Sequence, residues 1–209
     1  MSISPMLESG ISLLGESATT EQKKQLSAYA GLLEKWNRTY NLVADADPER
    51  IISRHILDSL TALPCLKAGR ILDAGSGAGL PGIPLAILRP ESRFVLLDSN
   101  GKKTRFLQQA VIELGLSSRV ETVKSRIEEY HPGHAFDTVI SRAFAGLEDF
   151  VSFCLHLCDR QSVLLAMKGR YPESELRALK TGVEITAVKA VAVPGVQAER
   201  HIVCLKKVF

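Results

Sequence analysis

The chain has 209 residues, 45% hydrophobic and 23% charged, with a net charge of +3. That length suits one α/β domain with an extension and a substantial core. The near-balanced charge permits a polyanionic partner without demanding one, and no apolar run is long enough to span a bilayer.

The first segment, Met1 to Gly15, lacks the basic start and continuous apolar stretch of an export signal, so a cytoplasmic protein is expected. Residues up to about Lys67 read as helical. Thr19-Thr20-Glu21-Gln22 has capping-box spacing, and Leu26, Tyr29, Ala30, Leu33, Trp36 and Tyr40 then fall at helical intervals. Asp47-Pro48 reads as an N-cap followed by proline in the first turn. Ile51, Ile52, His55, Ile56, Ser59, Leu60 and Leu63 mark one face of the next helix, which Pro64 ends.

From Arg70 the pattern changes to strands alternating with helices. Strands are expected at 70–74, 93–98, 120–123, 136–141 and 162–168, and helices at 81–88, 102–114, 147–158 and 172–180. Two further strands, 183–193 and 201–206, flank Pro194-Gly195 with no helix between them. Alternation implies a mostly parallel sheet with right-handed crossovers, and the closing pair implies an antiparallel edge hairpin. The four cysteines form no C-x-x-C pair, so no metal site is expected. Cys154 and Cys158, four apart on an expected helix, read as small buried hydrophobes.

Arg70 to Gly82 carries the most chemistry: a buried strand, a glycine-rich turn, then a helix start. Gly77-Ala78-Gly79-Leu80-Pro81-Gly82 fits the G-x-G-x-x-G spacing of dinucleotide sites, but that spacing alone is common. Asp73 separates the possible ligands. A pyrophosphate wants no carboxylate there, whereas S-adenosylmethionine offers an ammonium for the acid and a carboxylate for the loop N–H groups. Asp73, Gly75, Gly77 and Gly79 are therefore the expected cradle. Asp98, at the end of the next strand, lies where an acid binds a ribose diol, or else caps the helix near Lys102. After the third strand, Ile127 offers an apolar face to an adenine, and Glu128 either reads its edge or is a solvated helix start.

The segment after the fourth strand bears on the methyl acceptor. Ile140-Ser141-Arg142-Ala143-Phe144 lacks the Asp/Asn-Pro-Pro-aromatic turn of exocyclic-amine methylation. Cys65 precedes the cofactor loop and is discounted as a ring-opening nucleophile. Arg142, at the crevice mouth, suits a phosphate, the cofactor carboxylate or guanine O6, or else pairs with Glu128 or Asp149. Lys168-Gly169-Arg170 and Glu199-Arg200-His201 add positive charge at strand ends, although His201 alone more often packs against a strand. Lys102, Lys103 and Arg105 form a phosphate patch or, more commonly, a solvated helix face.

Taken together, Trp36-Asn37-Arg38-Thr39-Tyr40-Asn41-Leu42, His55-Ile56-Leu57-Asp58-Ser59-Leu60, the run from Asp73 to Pro84, Leu96 to Ser99, the Ser-Arg-Ala-Phe turn and Glu199-Arg200-His201 closely resemble one family. It is the bacterial 16S rRNA guanine-N7 methyltransferases, the glucose-inhibited division protein B family. The resemblance covers nearly the whole chain. It implies a class I S-adenosylmethionine-dependent methyltransferase fold: a Rossmann-like α/β domain over residues 68–209, with a mostly parallel seven-stranded sheet, and a helical extension over 1–67 packed on it. It implies cofactor contacts at Gly75, Leu80, Ile127, Glu128 and Arg142. It implies help from Asn41, His55 and Asp58 in closing the site. RNA contacts at Lys168, Arg170, Arg200 and His201 are expected, with Arg142 and Arg200 nearest the chemistry. The expected partner is 16S rRNA in the small ribosomal subunit, met by a monomer. A small-molecule methyltransferase and a non-catalytic S-adenosylmethionine-binding assembly factor remain alternatives.

Overall fold

The computed structural model describes residues 3–45, 47–142, 144, 146–179 and 182–208. Its strands are β1 (Arg70–Ala74), β2 (Arg93–Asp98), β3 (Val120–Lys124), β4 (Phe136–Arg142), β5 (Cys158–Lys168), β6 (Val183–Ala190) and β7 (His201–Lys207). They form one sheet in the order β3-β2-β1-β4-β5-β7-β6. Strands β1 to β5 pair in parallel, and β7 runs antiparallel between β5 and β6. Strand order reverses between β1 and β4, and in open α/β sheets ligands bind beyond the carboxyl ends at such a reversal.

Each buried strand feeds a core on both faces. In β1, Ile71 joins one cluster and Leu72 and Ala74 the other; in β2, Phe94 and Leu96 oppose Val95 and Leu97. The first face is covered by α1 (Pro5–Leu13), α2 (Thr20–Tyr40), α5 (Gly82–Leu88) and α6 (Gly101–Glu113). The second is covered mainly by α7 (Leu147–Cys154). Leu7, Leu26, Tyr29 and Leu33 from the N-terminal helices share one cluster with Ile71, Phe94 and Ile140 of the sheet.

Helix α2 starts as its sequence requires, with Thr19 and Gln22 forming a reciprocal capping box. Asp47 caps α3 (Pro48–Arg50) by accepting from Glu49 N and Arg50 N. The chain then widens into a π-helical stretch, Ile51–Leu57, before α4 (Asp58–Leu60). Regular α-helical spacing leaves Leu57 and Asp58 off the expected apolar face. The wider turn rotates both inward, and both are buried. Such π segments recur at functional sites.

Several expected boundaries need correction. The helix from Leu147 stops at Cys154, a short 3-10 turn covers Leu155–Leu157, and Cys158 opens β5. Cys154 and Cys158 are buried but do not share a helix. Strand β5 begins four residues before the expected 162 because Cys158 pairs with Phe136 and the Ser162 hydroxyl donates to Phe136 O at 2.6 Å. Strand β6 ends at Ala190, before Pro194. Helix α8 spans Glu173–Ala178, while Lys180, the expected end, lies outside the described residues.

Candidate active site

Two cavities open beyond the carboxyl ends of the parallel strands. The first, about 650 Å³, is lined by Gly75, Ser76, Gly77, Ala78 and Leu80 after β1 and by Asp98, Ser99 and Lys103 after β2. Ser125 to Glu128 line it after β3; Ser141, Arg142 and Phe144 line it at the end of β4. Leu42 and Val43 reach it from the segment after α2, and Asp149 and Phe153 from α7.

Gly75 and Gly77 form the floor, with φ of +73° and +60°, values that favour glycine. A side chain at either would meet no atom closer than 3.9 Å, so the cradle is open on its cavity side. Gly79 differs. It does not line the cavity, and a Cβ there would fall 2.5 Å from Ile83 Cδ1. Its lack of a side chain lets the loop close on α5, so its expected role as a cofactor contact becomes a packing role.

The loop N–H groups, expected to receive a ligand carboxylate, are largely engaged within the protein. Those of Gly75 and Ser76 donate to Leu97 O, and those of Gly79 and Leu80 to Ser76 O. Gly77 N–H donates to Asp98 Oδ2 at 2.9 Å, while Asp98 Oδ1 accepts from Asn100 N at 2.8 Å. Asn100, not Asp98, caps α6 through Lys102 N and Lys103 N. Asp98 therefore couples the glycine loop to the α6 start and still presents its carboxylate to the cavity.

Asp73 is sealed beneath the loop, fully buried and absent from the cavity lining. Its Oδ2 accepts from Ser76 Oγ at 2.7 Å and from Gly82 N at 2.8 Å, and its Oδ1 is buried without a partner. Burial pushes its pKa up to about 6, against the lowering effect of the Ser76 and Gly82 hydrogen bonds and of Arg142. The expected direct grip on an ammonium is thus replaced by loop bracing, with a buried charge available to a cation at longer range.

Sequence reasoning missed one brace. Tyr29 of α2 is fully buried, and its hydroxyl donates to Ala78 O at 2.6 Å. Its position on the apolar helix face was legible; the reach of its hydroxyl to the glycine loop was not.

The second cavity, about 530 Å³, is lined by Ala44, Asp45, Arg54, His55, Asp58, Thr61, Lys168, Gly169, Arg200 and His201, among others. Arg142 and Phe144 line both cavities and so form the wall between them. Asp58, buried, joins the cations around this wall. Its Oδ2 accepts from Arg142 Nη1 at 3.2 Å and its Oδ1 from Arg200 Nε at 2.8 Å. Arg142 Nη1 also donates to Arg54 O, and Nη2 lies 3.5 Å from His55 Nδ1. Burial, reinforced by Arg142, lowers the His55 pKa, which favours a neutral imidazole. Arg142 thus pairs with Asp58, not with Glu128 or Asp149.

The other expected residues separate clearly. Ile127 is buried and Glu128 exposed, and both line the first cavity, with Glu128 3.9 Å from Arg126 Nη1. Lys168 Nζ is held by Glu175 at 2.8 Å. His201 Nδ1 sits 3.2 Å from Gly169 O, and its ring meets Tyr171 edge-on. Asn41 is an exposed helix C-cap with φ +47° and lines neither cavity, whereas its neighbours Leu42 to Asp45 do. Arg170 is exposed and lines neither cavity. Cys65 lies in the turn Leu63–Cys65, away from both cavities. Ala143, within the Ser-Arg-Ala-Phe turn, is outside the described residues. Among the described residues no group of three or more His, Cys, Asp or Glu could hold a metal, and no helix is long and apolar enough to cross a membrane.

The donor set fits S-adenosylmethionine. An open glycine floor, a carboxylate at the second strand end and an apolar Ile127 wall, with the buried Asp73 charge behind the loop, match a nucleoside carrying a cationic amino-acid end better than a pyrophosphate.

Comparison with known proteins gives concordant results. The model of the GidB family, described as rRNA small subunit methyltransferase G, matches residues 22–203. The ribosomal RNA small subunit methyltransferase G of Nitrosococcus oceani is 54% identical over 201 residues, covering 96% of this chain and 94% of that protein. Its counterpart in Pseudomonas aeruginosa is 49% identical over 202 residues, with the same 96% and 94% coverage. Among solved structures, TrmN from Thermus thermophilus aligns with TM-score 0.60 at 20% identity, over 75% of this chain and 53% of that one. The glycopeptide N-methyltransferase MtfA, complexed with S-adenosylmethionine, aligns with TM-score 0.64 at 10% identity, over 74% of this chain and 94% of that one. The two structural likenesses establish the class I methyltransferase fold.

Proposed function

The chain belongs to the rRNA small subunit methyltransferase G family, and from that premise we propose that it methylates N7 of a guanine in 16S rRNA, using S-adenosylmethionine. The observation that carries this reading is the shared wall: Arg142 and Phe144 separate a nucleoside-sized cofactor cavity from a second cavity ringed by Asp58, His55 and Arg200.

S-adenosylmethionine supplies an electrophilic sulfonium methyl group. Guanine N7 supplies an in-plane lone pair, so no proton must leave before the new N–C bond forms and the S–C bond breaks. A general base is therefore unnecessary, and the protein's task is alignment. Gly75, Gly77, Leu80 and Asp98 would hold the donor, with Ile127 against its adenine and Glu128 at the adenine edge. Arg142 would sit at the reacting end and contact guanine O6, a phosphate or the cofactor, leaving N7 open. Neutral His55 adds no charge beside a base that becomes cationic. Arg200 would anchor RNA backbone, with His55, Asp58, Lys168 and His201 as the base-side wall and Arg170 as a further RNA contact. Residues 1–67 are read as the extension that completes this second cavity, and 68–209 as the methyltransferase domain. The protein is read as a cytoplasmic monomer that needs no metal.

The test is transfer of label from tritiated S-adenosylmethionine to naked small-subunit RNA and to 30S particles lacking the mark. Transfer that requires RNA and weakens steeply with salt supports the reading. Transfer to small molecules alone would favour the small-molecule enzyme. Binding of the donor without transfer would favour an assembly factor.

A further inference from the structure

Three cations line the cofactor cavity, and two have partners. Arg142 is held by Asp58, and Arg126 lies 3.9 Å from Glu128. The third, Lys103, has an ammonium that makes no hydrogen bond or ion pair among the described residues. It lies over the glycine loop, with Nζ 3.9 Å from where a Cβ on Gly77 would be. Lys103 also occupies the first turn of α6, where the helix dipole disfavours a cation. A lysine kept at an unfavourable helix position, half-buried and unpaired over an open cradle, calls for an anionic partner from outside the chain.

The loop makes the need specific. Its N–H groups at Gly75, Ser76, Gly77, Gly79 and Leu80 are engaged within the protein, and the first backbone N–H groups of α6 are capped by Asn100. The backbone that usually meets a cofactor carboxylate is therefore largely occupied. We propose that Lys103 is the carboxylate-binding residue of this site, pairing with the amino-acid carboxylate of the methyl donor. The proposal rests on S-adenosylmethionine as the cofactor. A charge-assisted contact of this kind corresponds to roughly tenfold in affinity.

Calorimetric titration of the full chain with two ligands tests it. S-adenosylhomocysteine carries the carboxylate; 5′-methylthioadenosine keeps the adenosine and thioether but lacks the amino-acid moiety. Lys103→Met should weaken S-adenosylhomocysteine about tenfold and leave 5′-methylthioadenosine within about twofold, while Lys103→Arg should restore the first ligand. Equal weakening of both ligands would overturn the proposal, because the substitution would then have disturbed the cradle. Unchanged S-adenosylhomocysteine binding with a raised KM for RNA would also overturn it and make Lys103 a phosphate contact. Failure of the wild type to bind either ligand would remove the cofactor reading itself, and this assignment with it.

Discussion

Replacing Asp73 with asparagine should stabilise the protein at neutral pH while weakening its hold on the methyl donor. The carboxyl group is fully buried, and burial pushes its pKa from the ordinary 3.8 up to about 6. Between those values the unfolded chain is ionised and the folded chain is not. The associated stability is therefore fully present below pH 3.8 and is lost as pH rises through about 6. Two units of difference correspond to about 3 kcal/mol. Asparagine preserves the shape and an oxygen for Ser76 and Gly82, and it does not ionise. Asp73→Asn should thus gain about 3 kcal/mol on the wild type between about pH 4 and pH 8, or roughly 6–12 °C in Tm for a chain of this length. Donor binding should move oppositely. An ionised carboxylate acting on a nearby cation through the loop, at an effective permittivity near 20, contributes on the order of a few kcal/mol. Wild-type affinity for S-adenosylmethionine should therefore fall on acidification through pH 6, and that of Asp73→Asn should stay flat. Thermal melts across this range, paired with calorimetric titration, measure both. Parallel melting profiles for the two proteins would refute the buried-charge argument.

Tyr29→Phe removes the donor to Ala78 O and leaves a buried carbonyl unpaired, at a cost of about 1–3 kcal/mol. A lower Tm with weaker S-adenosylhomocysteine binding is expected, and Tyr40→Phe, on the exposed end of α2, serves as the unaffected control. Arg142→Ala should reduce single-turnover methyl transfer by about 100-fold or more. Its Tm should fall by only a few degrees, because the side chain is partly solvated and Arg200 still pairs with Asp58. Turnover near the wild-type rate in that variant would remove Arg142 from the chemistry.

Much of the architecture is legible in the sequence because each central strand is a short buried run ended by a strong local signal. Arg70–Ala74 stops at a glycine that adopts positive φ, and Arg93–Asp98 stops before the Asn100 cap; both spans match the structure. Boundaries fail where distant contacts override local preference, as at Cys158, where pairing with Phe136 starts β5 inside the expected helix. The glycine loop was legible as a cradle, but not its internal hydrogen bonding. Spacing does not reveal that Leu97 O, Ser76 O and Asp98 already accept the loop's N–H groups. Asp73 was legible as an acid at the strand end, but its burial depends on how α5 closes over it. The second cavity was the least legible from the residues themselves. Asp58 meets Arg142 and Arg200 only in the folded chain, after a π-helical turn that helical periodicity does not predict. The family motifs marked these residues as a group, while the reason for the grouping is a single buried carboxylate.

The most direct test of the account is to locate the methyl group. Small-subunit RNA treated with the protein and S-adenosylmethionine would be cleaved by borohydride and aniline, which cut at 7-methylguanosine. One strong cut at one guanine is expected, lost with Arg142→Ala. Efficient transfer without any such cut would contradict N7 as the acceptor.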